Sequence, residues 1–522
     1  MPGEPVVIGP FSGGLANRTD ASSIDDLQMT QCVNWIHGID GTLISRFPIW
    51  DTLNDPVGLT ERLFLLGYAT LFADATPFAS GITDILIGSN KDGTFILRNG
   101  IWSEISNSNL RDFVTYGNAD NKVFFPSALE GLAGSGGWWD ESKLSVQTLA
   151  NMPVGYTIAV HKDRIWIAGD PSEPSRVFYS AVAPVGATAD WDQPAEGFID
   201  VNPGDGQYIT HLQSYQDMLV IFKNDSTFVL NYDGTISRGQ LINISTIIGA
   251  FDTKSVTTYR DTLFVYHNGN AYGFDGSSFE QINKETRLLG NQAFAAVYAD
   301  PIVFSTTGDR LVLRHYENVY IFNFYSGGWM TWDSSVTAMG KFVQQPVSVG
   351  SEDAKFFMTS ADPLDTNIYA MNGFWDATHT ENFNCQITTK TFDFGASYKF
   401  KRLFWWACDA STDLAITGSA SPIAANFVPN WSDVLAGGTW ATYLPFTWGS
   451  LFNTLPDVIT GPITSQTGTV RRVYKFLKGL RFRQIKFSIT MTSDGSSVTG
   501  PQRLFSLTPM LAAKETIVKQ TS

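Results

Sequence analysis

The residues of this chain whose types suit chemistry are six histidines, three cysteines and a scatter of turn carboxylates. His37, His161, His211, His267, His315 and His379 are dispersed, and none falls in an HExxH pattern. His267 and His315 sit within or beside repeated strands at nearly equivalent places, which suits a structural role better than a catalytic one. There is no G-x-S-x-G nucleophile elbow in a strand–turn–helix setting and no phosphate loop. Cys32, Cys385 and Cys408 form no CxxC pair. They are expected as buried or free thiols in a reducing compartment, with a Cys385–Cys408 bridge inside one sheet as the alternative.

Carboxylate pairs for glycoside hydrolysis converge in space rather than in sequence, so spacing alone does not exclude them. "SNKDGTF" (89–95) shares elements with the Asp-box of sialidase propellers, but its spacing differs and it occurs once. "NDSTFVLNYDGT" (224–235) does not place its oxygens as a calcium loop does and is expected as a hairpin turn. No residue is assigned a catalytic, metal-binding or cofactor-binding role. The balance shifts toward structure and assembly.

Charge supplies one more candidate. The chain carries 35 basic and 50 acidic residues, a formal net charge of −15. Such a chain is a poor general nucleic-acid binder, although an acidic wall suits a surface past which DNA slides without sticking; plain solubility is the simpler explanation. Against that background Arg471, Arg472, Lys475, Lys478, Arg481, Arg483 and Lys486 form one basic cluster. It suits contact with an acidic neighbouring subunit or DNA phosphate, or alternatively a charged strand edge that resists aggregation.

The elements that position these residues come from a repeat. "YQDMLVIFKNDSTFVLNYDG" (215–234), "YRDTLFVYHNGNAYGFDGSS" (259–278) and "TGDRLVLRHYENVYIFNFYSGG" (307–328) each hold a polar pair, a strand, a polar turn and a second strand. Leu219, Leu263 and Leu311 align without gaps to Phe228, Tyr272 and Tyr320, at offsets of 44 and 48. Looser copies place the equivalent first-strand positions near 86, 123, 165, 219, 263, 311 and 356. That spacing, about 45 residues, is the length of a four-stranded propeller blade. A lone four-stranded sheet buries too little and leaves open edges, whereas radial stacking removes both defects. The expectation is an all-β chain with a β-propeller of six or seven blades over 56–380, an open series of sandwiches being the competing reading. Leu219 and Ile221, Leu263 and Val265, and Tyr272 and Phe274 keep a period of two.

Residues 381–515 break the repeat. Long strands flank a Pro/Gly/Trp-rich stretch (422–461), and Ile485, Phe487, Ile489 and Met491 alternate with Lys486, Ser488, Thr490 and Thr492. A separate antiparallel β-sandwich-like C-terminal domain is expected there, with 516–522 as a loose tail. Residues 1–55 read as an N-terminal docking arm. It has a flexible Gly13–Gly14–Leu15 entry and a short helix capped by Ser23 with Asp26, carrying Leu27, Val33 and Trp35 on its apolar side. The apolar clusters "RLFLLGYATLF" and "LFWWAC" are too short to cross a bilayer, and no secretory layout opens the chain, so a soluble protein made in a cytoplasm is expected.

The opening "SSIDDLQMTQCVNW" and "DGTLISRFPIW" resembles the start of tailed-bacteriophage virion proteins, in which a G-G-L…N…Q…N…G…R-x-P layout precedes a propeller. The central run is similar to that of the tail hub, nozzle or DNA-stabilisation proteins of short-tailed phages. The matched positions are Asp217, Leu219, Phe222, Ser226, Gly249, Ser255, Asp261, Leu263, Gly269 and Tyr272. "VRRVYKFLKGLRFRQIKFSITMTSDG" resembles that family's last basic strand pair. The resemblance covers roughly 9–50, 205–285 and 470–495. It implies a non-enzymatic virion protein without cofactors: a homo-oligomeric ring, expected as a hexamer, below portal and adaptor. Such a ring continues the channel for double-stranded DNA, meets other tail proteins and is assembled in the host bacterial cytoplasm. The arm is then a docking or inter-subunit element. A carbohydrate-binding tail or baseplate component using Trp431, Trp440 and Trp448 is the alternative, and a propeller glycosidase the third.

Overall fold

A computed structural model describes residues 6–9, 11–18, 20–37, 42–46, 49–53, 59–72, 82–98, 101–116, 122–126, 137–149, 152–182, 197–232, 236–259, 261–288, 303–307, 310–315, 318–324, 326–332, 343–344, 355–359, 364–372, 383–394, 401–410, 416–423, 463–464, 470–482, 484–493 and 503–513. Those residues form strands, joined by turns and two short 3-10 segments, Ile236–Arg238 and Thr253–Ser255. No helix among them is long and apolar enough to cross a membrane.

The arm supplies β1 (Gly14–Leu15), β2 (Gln28–Val33), β3 (Trp35–His37), β4 (Leu43–Ser45) and β5 (Ile49–Leu53). Blade 1 is β6–β9 (Phe64–Phe72, Ile82–Asn90, Gly93–Arg98, Ile101–Ser106), and blade 2 is β10–β13 (Val114–Tyr116, Lys122–Phe125, Gly137–Trp139, Gln147–Thr148). Blade 3 is β14–β17 (Thr157–His161, Arg164–Ala168, Arg176–Tyr179, Phe198–Asp200), and blade 4 is β18–β21 (Ile209–Tyr215, Met218–Lys223, Thr227–Asn231, Gln240–Ser245). Blade 5 is β22–β25 (Val256–Tyr259, Thr262–His267, Asn270–Phe274, Phe279–Gln281), and blade 6 is β26–β29 (Val303–Thr307, Arg310–His315, Asn318–Asn323, Trp329–Trp332). Blade 7 is β30–β32 (Val343–Gln344, Lys355–Thr359, Ile368–Asn372), and its fourth strand is β5 from the arm.

The seven sheets close into a ring. Going round, β6, β10, β14 and β18 touch in turn, β18 meets the turn that enters β22, and β22, β26 and β30 follow until β30 returns against β6. Ile368 of blade 7 packs with Leu86 and Leu97 of blade 1, which seals the last seam. The fold is therefore an all-β propeller, and seven four-stranded units resolve the choice between six and seven blades.

Stacking explains the apolar pattern. Leu219 and Ile221 face blade 3, in one core with Trp166 and Val177. Val220 and Phe222 face blade 5, with Leu263 and Val265. All four side chains of this β19 run are fully buried, so its apolar residues run without interruption. Each such side chain contributes about 1.5–3 kcal/mol when buried. Hydroxyls tie neighbouring blades together: Tyr116 donates to the Asp163 carbonyl at 2.9 Å, and Tyr215 donates to the Asp261 carbonyl.

The rest of the chain forms a sandwich: β33 (Phe383–Thr389), β34 (Lys401–Ala410), β35 (Ile416–Ile423), β36 (Ile463–Thr464), β37 (Val470–Phe482), β38 (Gln484–Ser493) and β39 (Arg503–Ala513). One layer runs β29-β2-β33-β38-β35, so it continues directly from blade 6. The other runs β3-β4-β39-β34-β37-β36. Ile485, Phe487, Ile489 and Met491 point into the core between the layers, as their alternation predicts. Met330 of blade 6 shares that core with Met29, Cys32 and Trp35 of the arm. The sandwich is thus fused to the propeller through the arm, where a separately packed domain was expected.

The arm differs most from expectation. No helix follows Ser23; residues 28–33 and 35–37 are strands. Asp20 and Asp25 close local turns through Ser22 and Leu27, and the chain then pairs as strands rather than winding, β2 with β33 and Trp35 of β3 with Ser45 of β4. The arm binds its own chain: β2 enters one layer, β3 and β4 the other, and β5 closes the propeller. The crossing point is Asn34, held at φ +62°, a left-handed conformation that asparagine tolerates. Its N–H donates to the Thr331 carbonyl at 2.8 Å, and its amide donates to the Asn384 carbonyl at 2.7 Å. Its side-chain oxygen accepts from Arg46 Nε at 3.0 Å. The Cys385 thiol donates to its carbonyl at 3.2 Å. Fully buried Arg46 lies over the Phe383 ring, 4.0 Å from its centroid. Close by, Gly14 (φ +68°) leaves room for Gly328, because a Cβ there would sit 2.7 Å from the Gly328 Cα.

Cys32 and Cys385 are buried free thiols, and burial pushes both pKa values up. Cys385 lies on β33 and Cys408 on β34, in different layers, so the bridge inside one sheet does not form. Asn34→Ala is expected to destabilise the fold by ~1–3 kcal/mol, because the buried Arg46 guanidinium loses an acceptor and the Asn384 carbonyl a donor. Gln31→Ala, at an exposed site of the adjoining strand β2, should shift it by ~0.5 kcal/mol or less. Urea unfolding monitored by tryptophan fluorescence compares the two.

Candidate functional site

A cavity of about 620 Å³ lies at one mouth of the propeller. Its walls come from the segments that enter the innermost strands of blades 1, 2, 3, 4 and 5, among them Phe64, Arg111, Tyr156, Tyr208 and Asp252. These side chains belong to no sequence motif; ring closure brings them together.

Each segment is held from behind. The Leu110 N–H donates to Thr94 Oγ1 at 3.1 Å and Ser89 Oγ donates to the Leu110 carbonyl at 2.7 Å, which fixes Asn109 and Arg111 at the rim. The Arg111 guanidinium lies 5.3 Å from the Tyr156 ring centroid. The Ile209 N–H bonds to the Pro174 carbonyl at 2.9 Å, setting Tyr208. The loop carrying Phe251 runs backbone to backbone over the turn at Asn224: Ala250 N–H donates to the Lys223 carbonyl at 3.0 Å. A Cβ at Gly249 would come within 2.2 Å of that carbonyl oxygen, so only glycine passes there. Below the turn, fully buried Lys223 pairs with Asp205 at 2.7 Å and also donates to Ser175 Oγ and the Asn202 carbonyl. Desolvation pushes the Asp205 carboxyl up, but hydrogen bonds from Lys223, the Gln207 N–H and the Asn202 amide, with the Lys223 charge, outweigh it and hold the carboxyl below its usual range.

Deeper along the channel wall, Asp112 on blade 2 accepts from Thr157 Oγ1 at 3.3 Å and Ile158 N–H at 3.2 Å on blade 3. Thr157 Oγ1 in turn accepts from Leu212 N–H at 3.1 Å on blade 4. His211 stacks on Phe222, and His161 Nδ1 lies 2.9 Å from Ser214 Oγ. These groups lace inner strands together. Among the described residues lining the mouth, Asp252 is the one carboxylate, and glycoside hydrolysis uses two.

The basic cluster lies elsewhere and is divided. Arg471, Arg472, Lys475, Lys478 and Arg481 are on β37, and Lys486 is on β38. Arg483 lies outside the described residues. The two strands follow one another in sequence but belong to opposite layers and do not pair. Among the described residues, each stands one strand in from the outermost strand of its sheet, β36 and β35. Arg471 stands opposite Asp409 in the β34 register, and half-buried Lys486 stands opposite Ser421. Trp431, Trp440, Trp448 and the tail 516–522 lie outside the described residues. His267 is 3.7 Å from Asp225 in an ordinary inter-blade contact. "SNKDGTF" is the β7–β8 turn, where Asn90 Oδ1 accepts from Asp92 N–H and Gly93 N–H. The turn after Lys223 is the expected hairpin, closed by Lys223 N–H on the Ser226 carbonyl. No group of three or more metal-ligating side chains occurs among the described residues.

No protein-family model matches this chain, and neither does any curated protein. Solved structures do share features with it. The Pan2 WD40 domain of Neurospora crassa matches 61% of this chain and 97% of its own at 11% identity, with a TM-score of 0.35. Two extracellular domains of B. thetaiotaomicron follow, named for a one-component and a hybrid two-component system. The first covers 68% of this chain and 43% of its own at 8% identity (TM-score 0.38). The second covers 74% and 56% at 9% identity (TM-score 0.40). The chain thus spans about half of each bacterial chain.

Two buried histidines set a pH dependence. Burial, then the nearby Lys162 charge, hold His161 down to about 4 from 6.5. A base whose folded pKa lies below its unfolded one stabilises the fold while neutral. That contribution is complete above pH 6.5 and declines as pH falls toward 4. His267 is lowered in the same direction, again mainly by burial. The urea midpoint should therefore drop across this window, and His161→Gln should flatten the drop relative to the parent chain.

Proposed function

We propose that this chain is a structural virion protein of a tailed bacteriophage, a tail hub or nozzle subunit. It forms a ring, expected as a hexamer, that continues the DNA channel below portal and adaptor and helps retain and release the packaged genome. The observation that carries this reading is the joint at Asn34. The glycine pair, the second asparagine and the arginine of the phage-like opening layout correspond here to Gly13–Gly14, Asn34 and Arg46. Gly14, Asn34 and Arg46 weld propeller to sandwich. The resemblance therefore falls on residues with a stated mechanical task, beyond blade phrases that any propeller repeats.

Two further features suit a ring. The joint ties the two units together by strand pairing and hydrogen bonds, and a closed ring needs a head-to-tail interface between unlike faces of its copies. The basic strands, each next to the outermost described strand of its layer in a chain of net charge −15, supply unlike faces. The acidic balance elsewhere suits a lumen along which DNA does not adhere.

Light scattering and negative-stain images of the purified chain, alone and in particles, test this. Six-fold rings are expected, together with the chain's presence in the virion. A monomer at all concentrations, absent from particles, overturns the proposal. Arg471→Glu combined with Arg472→Glu should weaken self-association at least about tenfold, with a smaller effect at high salt.

A further inference from the structure

We infer that the propeller mouth is a binding site for a neutral saccharide. Among the described residues, the side-chain amides of Asn109 and Asn224 make no hydrogen bond to the protein, and neither do the hydroxyls of Tyr156 and Tyr208. All four line the 620 Å³ cavity. Tyr208 and Phe251 are 53% and 59% exposed at its rim, unusual for large aromatic residues in so well packed a ring.

The chemistry selects the ligand. An apolar ligand would cover four polar groups without satisfying them, at a cost of about 1–3 kcal/mol each. A phosphate or sulfate group needs an excess of cationic donors, and here Arg111 is balanced by Asp252 and already packed on Tyr156. An extended peptide usually pairs with an open strand edge. Here no innermost strand lines the cavity with more than two of its residues, so none presents a continuous edge to it. A neutral sugar offers what remains: C–H faces for the aromatic rings and paired hydroxyls for planar amides. The site is preformed, since its aromatic residues ride on segments fixed by Gly249, Pro174 and Thr94.

This site is remote from the basic strands in the sheet order and does not depend on ring assembly. It also differs from the expectation that tryptophans at 431, 440 and 448 hold sugars.

The test is saturation-transfer NMR on the full chain with maltotriose, cellotriose and the trimer of N-acetylglucosamine, followed by calorimetry on any that binds. At least one should give saturation transfer. Tyr208→Ala and Asn224→Ala, both at exposed positions, should each weaken it at least about tenfold while leaving the urea midpoint within error. Absence of transfer from all three sugars overturns the inference. So does binding that survives the Tyr208→Ala, Phe251→Ala double variant, or binding confined to a sulfated oligosaccharide.

Discussion

Hydrogen bonds at Asn34 gather three stretches of the molecule around one residue of the arm. Thr331 belongs to blade 6, Asn384 and Cys385 to one sandwich layer, and Arg46 to the stretch that leads into blade 7. Its left-handed backbone is what lets the chain leave one layer and enter the other after a single residue. Without that reversal β2 and β3 would continue on one side, and Trp35 would not reach the core it shares with Leu403 and Leu507.

The ring imposes a second condition. Because each blade is sandwiched between two others, its middle strands have no solvent face. Val220 and Ile221 are neighbours in sequence, yet they serve different inter-blade cores. Polar groups then gather where the inner strands begin, at a place where backbone from several blades converges beside open space. That is why Asn109, Tyr156, Tyr208 and Asn224 meet there. It is also why Asp112 and Thr157 deeper in the wall are consumed by neighbouring strands.

Much of this was legible in the residues. Positions 86, 123, 165, 219, 263, 311 and 356 fall on β7, β11, β15, β19, β23, β27 and β31, the same strand of every blade, although that strand is second rather than first. The gap-free alignment has a physical basis. Ile221 faces Phe228, Val265 faces Tyr272 and Leu313 faces Tyr320, one register in all three blades. The arm misled because short apolar spacing over Leu27, Val33 and Trp35 fits a helix as well as a strand when the pairing partner, β33, lies some 350 residues away. The mouth was invisible because inner-strand entries such as "NLRDF" and "GQYIT" share little beyond polarity. The basic cluster looked continuous because sequence does not reveal that the chain crosses between layers after Phe482.

The arm also sets a timetable for synthesis. β2 pairs with β33, β4 pairs with β39, and β5 pairs with β32, so residues near the start wait for partners near the end. At ribosomal speeds of roughly 5–20 residues per second the wait lasts on the order of tens of seconds. During it, Met29, Cys32 and Trp35 lack the burial they have in the finished molecule. The emerging chain can stack its blades in order, but the last seam closes only when the first and last strands meet. Premature termination anywhere before Arg503 would leave β4 without its β39 partner, coupling successful maturation to completed translation.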